Sequence, residues 1–179
     1  MGTTILSRAV HEVIGLIKIM EIEKLKKSLF DGFIAIQKLE GIPNKTKHRM
    51  LWEMFVCNGE NLFFWEVVGI TETAGQKIKE NNYKLPTGSK ENKVNRSHIY
   101  KRMETSMIML EKTDWTMEEW WNFYRERDKC VLATGTENMS KEKEVIKYQV
   151  PEGKGLFPSA GFSCRIGDKE KEFLIETIY

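Results

Sequence analysis

Residues 77–102 read KIKENNYKLPTGSKENKVNRSHIYKR, and cations crowd into them: Lys77, Lys79, Lys84, Lys90, Lys93, Arg96, Lys101 and Arg102, opposed by Glu80 and Glu91. Eight cations against two anions give this window +6; the whole chain is +2, which leaves −4 for the rest. Charge concentrated in this way binds polyanions, because each phosphate it neutralises releases a counterion. Tyr83, His98 and Tyr100 interleave with the cations. The candidate contacts are Lys84, Lys90, Lys93, Arg96, Lys101 and Arg102, with Tyr100 beside them. The same composition also describes a solvated loop. A second basic run, Asn44-Lys45-Thr46-Lys47-His48-Arg49, would enlarge a positive face if it folded against the first.

Other chemistry has weaker signals. His11, His48 and His98 lie far apart without ligand partners at i+3 or i+4, and zinc-type spacings are missing, so no metal site is expected. There is no GxSxG, Walker or GxGxxG motif for a nucleophile or a bound nucleotide. Thr134-Gly135-Thr136 has the composition of a turn. Cys57, Cys130 and Cys164 are odd in number and widely spaced, which argues for a reducing compartment and structural thiols. Trp115, Trp120 and Trp121 admit two readings, a binding platform or core. Helical spacing favours core for Trp120, a staple for Trp115 and partial exposure for Trp121.

One segment resembles a known enzyme family. EVIKYQVPEGKG (Glu144 to Gly155), followed by EKEFLI (Glu170 to Ile175), resembles the last third of mono-ADP-ribosyltransferases, over about one fifth of the chain. In that family a strand ending in a Val-Pro-x-Gly turn precedes a Glu-x-Glu at the start of another strand. The resemblance implies NAD as cofactor, Glu172 as the catalytic carboxylate, Glu170 as its partner, and Arg102 as the family's strand arginine.

These side chains must be positioned by the elements around them. Ser7 to Glu40 reads as helix, with Val10, Val13, Ile14 and Ile17 and then Leu25, Leu29, Phe33 and Ile36 on one face. Asp31-Gly32 is a possible break. Gly41 sits where a C′ glycine would end the helix, with Pro43 following. A second helix runs from Lys47 to Val56. Asn58-Gly59 signals a turn, Leu62 to Ile70 a buried strand, and Glu72 to Glu80 a short helix. Asn81 to Asn95 is polar and aperiodic, an exposed loop. Ser97 is placed to cap a helix through Leu110. In DWTMEEWW, Thr116 and Glu119 form a capping box, and Trp115 with Trp120 a hydrophobic staple. That helix ends near Lys129. Val131 to Thr134, Val145 to Val150, Phe162 to Ile166 and Phe173 to Tyr179 read as strands, the last two joined by a GDKEKE hairpin.

The expected class is therefore α+β: N-terminal and central helices packed on a small, mainly antiparallel sheet formed largely by the C-terminal third. Residues 1–179 read as a single domain, in line with about 100–200 residues per domain. Hydrophobic residues at 41% and charged residues at 30% describe a globular chain rather than a disordered one. Ala9 to Met20 is interrupted by His11, Glu12 and Lys18, too short an apolar run for a span or a signal peptide. Met20 offers an alternative start. The functional expectation is a small intracellular, cytoplasmic binding protein without a catalytic site or cofactor. It would engage nucleic acid or an acidic protein surface, with no membrane partner, through its basic loop and following helix. A viral or mobile-element inhibitor of host machinery would fit that description. The alternative is the NAD-dependent transferase using Glu172.

Overall fold

The first helix, α1, runs unbroken over Thr3–Gln37, and α2 over Asn44–Cys57. The possible break at Asp31-Gly32 does not occur. Gly32 serves helix packing instead: a Cβ there would stand 2.6 Å from Met54 Sδ of α2. The chain turns between the two helices through Gly41, whose φ of +71° suits a residue without a Cβ. Gly41 lies in this turn, beyond the C′ position first expected. Lys47 closes the end of α1, its Nζ donating to the Gln37 carbonyl at 2.7 Å, where positive charge suits the helix dipole.

The structure is a computed structural model and describes residues 3–57, 65–89, 91–140, 145–160 and 163–178. Side chains are described from Met20 onward, with 56, 57, 159, 160 and 163 given as backbone alone. After α2 come β1 (Val67–Thr71), α3 (Glu72–Glu80), β2 (Val94–His98), α4 (Arg102–Glu111) and α5 (Met117–Arg127). Then follow β3 (Cys130–Thr134), α6 (Gly135–Met139), β4 (Ile146–Gln149), the short pair β5 (Ser159–Ala160) and β6 (Ser163–Cys164), and α7 (Asp168–Thr177).

The fold is α+β. The main sheet has the order β2-β3-β1-β4. Its outer pairings are antiparallel, with His98 opposite Cys130 and Gly69 opposite Gln149, while β1 and β3 run parallel in the middle. The two central strands are buried along their whole length, as strands covered on both faces are. One hydrophobic core joins the sheet to α3 and α7 through Ile70, Ile78, Val94, Leu132, Leu174 and Ile178. A second lies among α1, α2, α4 and α5 around the fully buried Trp120, with Phe33 and Phe55 stacked near it at 5.4 and 6.1 Å. Among the described residues no helix is long and apolar enough to cross a membrane.

Local capping explains several boundaries. Thr71 caps α3 by accepting from Ala74 N–H. Thr116 and Glu119 form the expected capping box at α5. Trp115 packs on Phe123 and donates its indole N–H to Met109 O, so it fixes the α4–α5 connection. Thr134-Gly135-Thr136 is a helix start rather than a plain turn: Thr134 and Glu137 make a second capping box, and Thr71 also donates to Glu137.

Four readings are corrected. Ser97 caps no helix; it lies inside β2, a strand taken for loop and linker, and Lys101 is the cap position of α4. The strand expected over Leu62 to Ile70 begins only at Val67 among the described residues. Asn58-Gly59 and Leu62 to Phe64 lie outside them. Phe173 to Tyr179 is not a strand, and GDKEKE is not a hairpin. Asp168–Thr177 is helix α7, with Gly167 and Ile178 at its cap positions and Tyr179 outside the described residues; Leu174 and Ile178, four apart, are buried and Ile175 is exposed. Of the strand expected over Phe162 to Ile166, Ser163–Cys164 is strand and Arg165 and Ile166 are not, while Phe162 lies outside the described residues.

Candidate functional site

The two cores meet at the far end of β2, and the basic segment's most confined side chains gather there. Arg102 opens α4, and its guanidinium lies over the Trp52 ring at 3.8 Å. Trp52, from α2, stacks on Trp65 with ring centroids 5.4 Å apart and planes within 3° of parallel. Arg96, from β2, lies over Trp65 at 4.6 Å. The result is a continuous chain of planar groups, Arg96–Trp65–Trp52–Arg102. His98 meets both tryptophans edge-on, at 5.9 and 5.8 Å.

Asp128, the residue after α5, anchors this chain from inside. It is 4% exposed. Its Oδ2 accepts from Trp65 N–H at 2.8 Å, and its Oδ1 stands 3.5 Å from His98 Nε2. Trp65 has φ of +60°, a backbone region that a bulky L-residue rarely enters. The Asp128 contact and the stacked neighbours hold it there, and such outliers cluster at functional sites. Burial, and then the charge of Asp128, push the Tyr124 phenol well above its usual range.

A cavity opens beside these groups, lined by Trp52, His98, Arg102, Ser106, Tyr124 and Asp128 among others. Its interior is small, about 10 Å³ where one water needs roughly 10–15 Å³. Among the described residues, Asp128 is the only carboxylate lining it. Arg127 also lines it but is committed elsewhere, to Glu104 at 2.7 Å and Thr105 at 3.1 Å. Arg102 makes no ion pair with a described residue. Its guanidinium is held below the ordinary arginine range by burial, with Asp128 opposing. Arg96, 7% exposed, is lowered by burial as well. Both stay charged, since arginine does not deprotonate in proteins. The first turn of α4 faces the same space through Thr105, and no side chain caps it. An uncapped helix N-terminus adds further positive potential.

The second basic run joins this face. Burial lowers the pKa of His48, and the charges of Arg102 and Arg49 lower it further. His48 and His98, fifty residues apart in the chain, thus both come to the surroundings of Arg102.

Comparison with protein-family models, with curated proteins and with solved structures finds no match to this chain.

The expected contact residues divide into two groups. Lys84 and Lys93 are exposed before β2, whereas Arg96, Tyr100, Lys101 and Arg102 lie along it or beyond it. Five residue steps, roughly 16 Å at about 3.3 Å per residue, separate Lys93 from His98. Lys90 lies outside the described residues. Tyr100 is half-buried beneath Arg127, whose guanidinium is 4.3 Å from the ring. The carboxylates of the transferase resemblance lie elsewhere. Glu170, expected in a hairpin turn, is 6% exposed and accepts from Gly167 N–H at 2.8 Å, closing the start of α7. Glu172 is exposed on the same helix, and neither carboxylate lines the cavity of Arg102. The Glu-Lys-Glu therefore opens a helix, not a strand. The Val-Pro-Glu-Gly turn is held through Gly153 N–H, which donates to Glu66 at 2.5 Å.

Trp52, Trp65, His98, Tyr124 and Asp128 were not singled out as site residues. The only sequence signal for Trp52 was its place beside the apolar side of its helix, next to Leu51 and Met54.

Proposed function

We propose that this protein binds single-stranded nucleic acid at the Arg96–Trp65–Trp52–Arg102 chain, with Lys84, Lys93 and Lys101 supplying outlying phosphate contacts. The carrying observation is Arg102: a half-buried guanidinium stacked on an indole at a cavity mouth, in no direct ion pair with a described residue and opposed only at a distance by the buried Asp128. A partly buried cation whose donors face no direct carboxylate partner is suited to an anion supplied from outside. Arginine stacked on an aromatic ring already presents its donors in a plane, which matches the geometry of phosphate. The tryptophans serve here to hold the two guanidiniums in place, since each indole is already covered by the other ring and by an arginine, and it is the cations that meet the strand's backbone. The cavity has room for little more than a water, so a phosphodiester would lie at its mouth against Arg102 while the bases lie outside along the basic surface.

The competing partner is an acidic protein face, which would meet the same cations. A competition experiment separates the two. Labelled single-stranded RNA is bound at low salt and challenged with polyglutamate or with unlabelled RNA. Displacement by RNA far below the polyglutamate concentration needed supports the nucleic-acid reading. Equal displacement by both, or no binding of RNA, removes it.

A further inference from the structure

We propose that His98 is the general base of an RNA-cleaving transesterification at the mouth of this cavity. The inference rests on the nucleic-acid reading above and adds chemistry to it. His98 sits at the end of β2 with its side chain 14% exposed, against the 3% of Asp128. Its Nε2 is buried without a hydrogen-bond partner among the described residues, and the nearest carboxylate oxygen is that of Asp128, at 3.5 Å. A carboxylate behind one imidazole nitrogen orients the ring, which leaves Nδ1 to exchange a proton with substrate. Long contacts of this kind tighten when substrate closes the site.

The other charged and titratable groups around the imidazole fit the same step. Arg102 and Arg127 of α4 and α5 line the cavity with it, Tyr124 and Asp128 lie at its inner wall, and Arg96 and His48 approach from β2 and α2. A phosphodiester held by Arg102 at the uncapped start of α4 would place its phosphorus among these groups. His98 Nδ1 takes the proton of the adjacent ribose 2′-hydroxyl. The 2′-oxygen forms a bond to phosphorus, the bond from phosphorus to the 5′-oxygen breaks, and that oxygen takes a proton from water at the open mouth. The products are a 2′,3′-cyclic phosphate and a 5′-hydroxyl, and the imidazolium returns its proton to solvent. Arg102 stabilises the charge that grows on the non-bridging oxygens. Asp128 acts through His98 and is a positioning residue.

The test uses the full chain, a mixed-sequence pool of labelled single-stranded RNA, the matching DNA pool, and EDTA throughout. Binding is read by anisotropy and cleavage by gel in the same samples. The wild type is expected to bind both pools and to cut only RNA, leaving 2′,3′-cyclic phosphate ends. His98→Gln should keep binding and lose about 100-fold or more of the rate. Asp128→Asn should lower kcat without raising KM. RNA bound but left intact by the wild type overturns the catalytic inference and leaves the binding proposal standing. Cleavage by His98→Gln at the wild-type rate, or cutting of DNA as fast as RNA, also overturns it. RNA neither bound nor cut overturns both. If His98→Gln fails to fold, the comparison of RNA with DNA on the wild type still decides.

Discussion

Removing the Asp128 carboxylate should weaken the fold and strengthen anion binding at once. Asp128 accepts the backbone N–H of Trp65 at 2.8 Å, lies against the Tyr124 phenol, and is the only carboxylate among the described residues that lines the cavity of Arg102. Asp128→Ala leaves the Trp65 N–H without its acceptor, at about 1–3 kcal/mol for a buried group. It also leaves Arg96 and Arg102 without their inner counter-charge. Losing one member of a buried charge cluster costs about 3–5 kcal/mol, and the two terms overlap rather than add. The expected loss is therefore about 3–5 kcal/mol in a denaturant titration. Asp128→Asn keeps the size and one acceptor oxygen, so it should cost about 1–2 kcal/mol, the difference between a charged and a neutral acceptor. Its effect on binding has the opposite sign. A phosphate about 8 Å from Asp128 is repelled by about 0.5–2 kcal/mol between water-like and protein-surface dielectrics. Asp128→Asn should then tighten RNA binding by about 2–30-fold at low salt. A midpoint for Asp128→Ala within about 0.5 kcal/mol of wild type would refute the anchoring role. Weaker RNA binding by Asp128→Asn would refute the placement of the anion.

Three further outcomes follow from the same structure. Trp120→Ala should cost about 3–5 kcal/mol, because the indole is fully buried among Phe33, Phe55 and Tyr124; Thr116→Ala should cost about 0.5–2 kcal/mol through the lost cap, and both are read as shifts in denaturation midpoint. His48 is held below 6.5 by burial, Arg102 and Arg49, so the folded state binds its proton less readily than the unfolded chain; stability should fall as pH drops through about 6.5, and His48→Gln should flatten that part of the pH–stability profile. Glu170→Ala should destabilise by about 0.5–1.5 kcal/mol by freeing the Gly167 N–H, whereas the exposed Glu172→Gln should stay within about 0.5 kcal/mol, both measured by thermal melting.

Parts of this fold are legible wherever one short stretch carries both pattern and cap. Glu72–Glu80 forms a helix over the residues expected because Thr71 supplies the cap locally. The Thr116–Glu119 box is likewise a property of four consecutive residues. Phe173 to Tyr179 misled because its apolar residues satisfy two periods. Phe173 and Ile175 alternate as in a strand, yet the pair that packs is Leu174 and Ile178, spaced for a helix, with Glu170 closing its start. Val94–His98 carries little apolar alternation, and it becomes a strand by pairing with Cys130–Thr134. The site was legible only as charge. Arg96 and Arg102 were visible as cations, but their value lies in Trp52, Trp65 and Asp128, which sit up to 76 residues apart in the chain and meet only through tertiary packing.

The salt dependence of RNA binding, measured by anisotropy for wild type and Arg102→Ala, tests the central claim most directly. Each phosphate neutralised on a single strand contributes about −0.7 to the slope of log K against log salt. Arg102 is assigned one phosphate, so Arg102→Ala should bind more weakly and show a slope shallower by about 0.7. An unchanged affinity and slope would contradict the account, because the phosphate would then be held somewhere other than the mouth of this cavity.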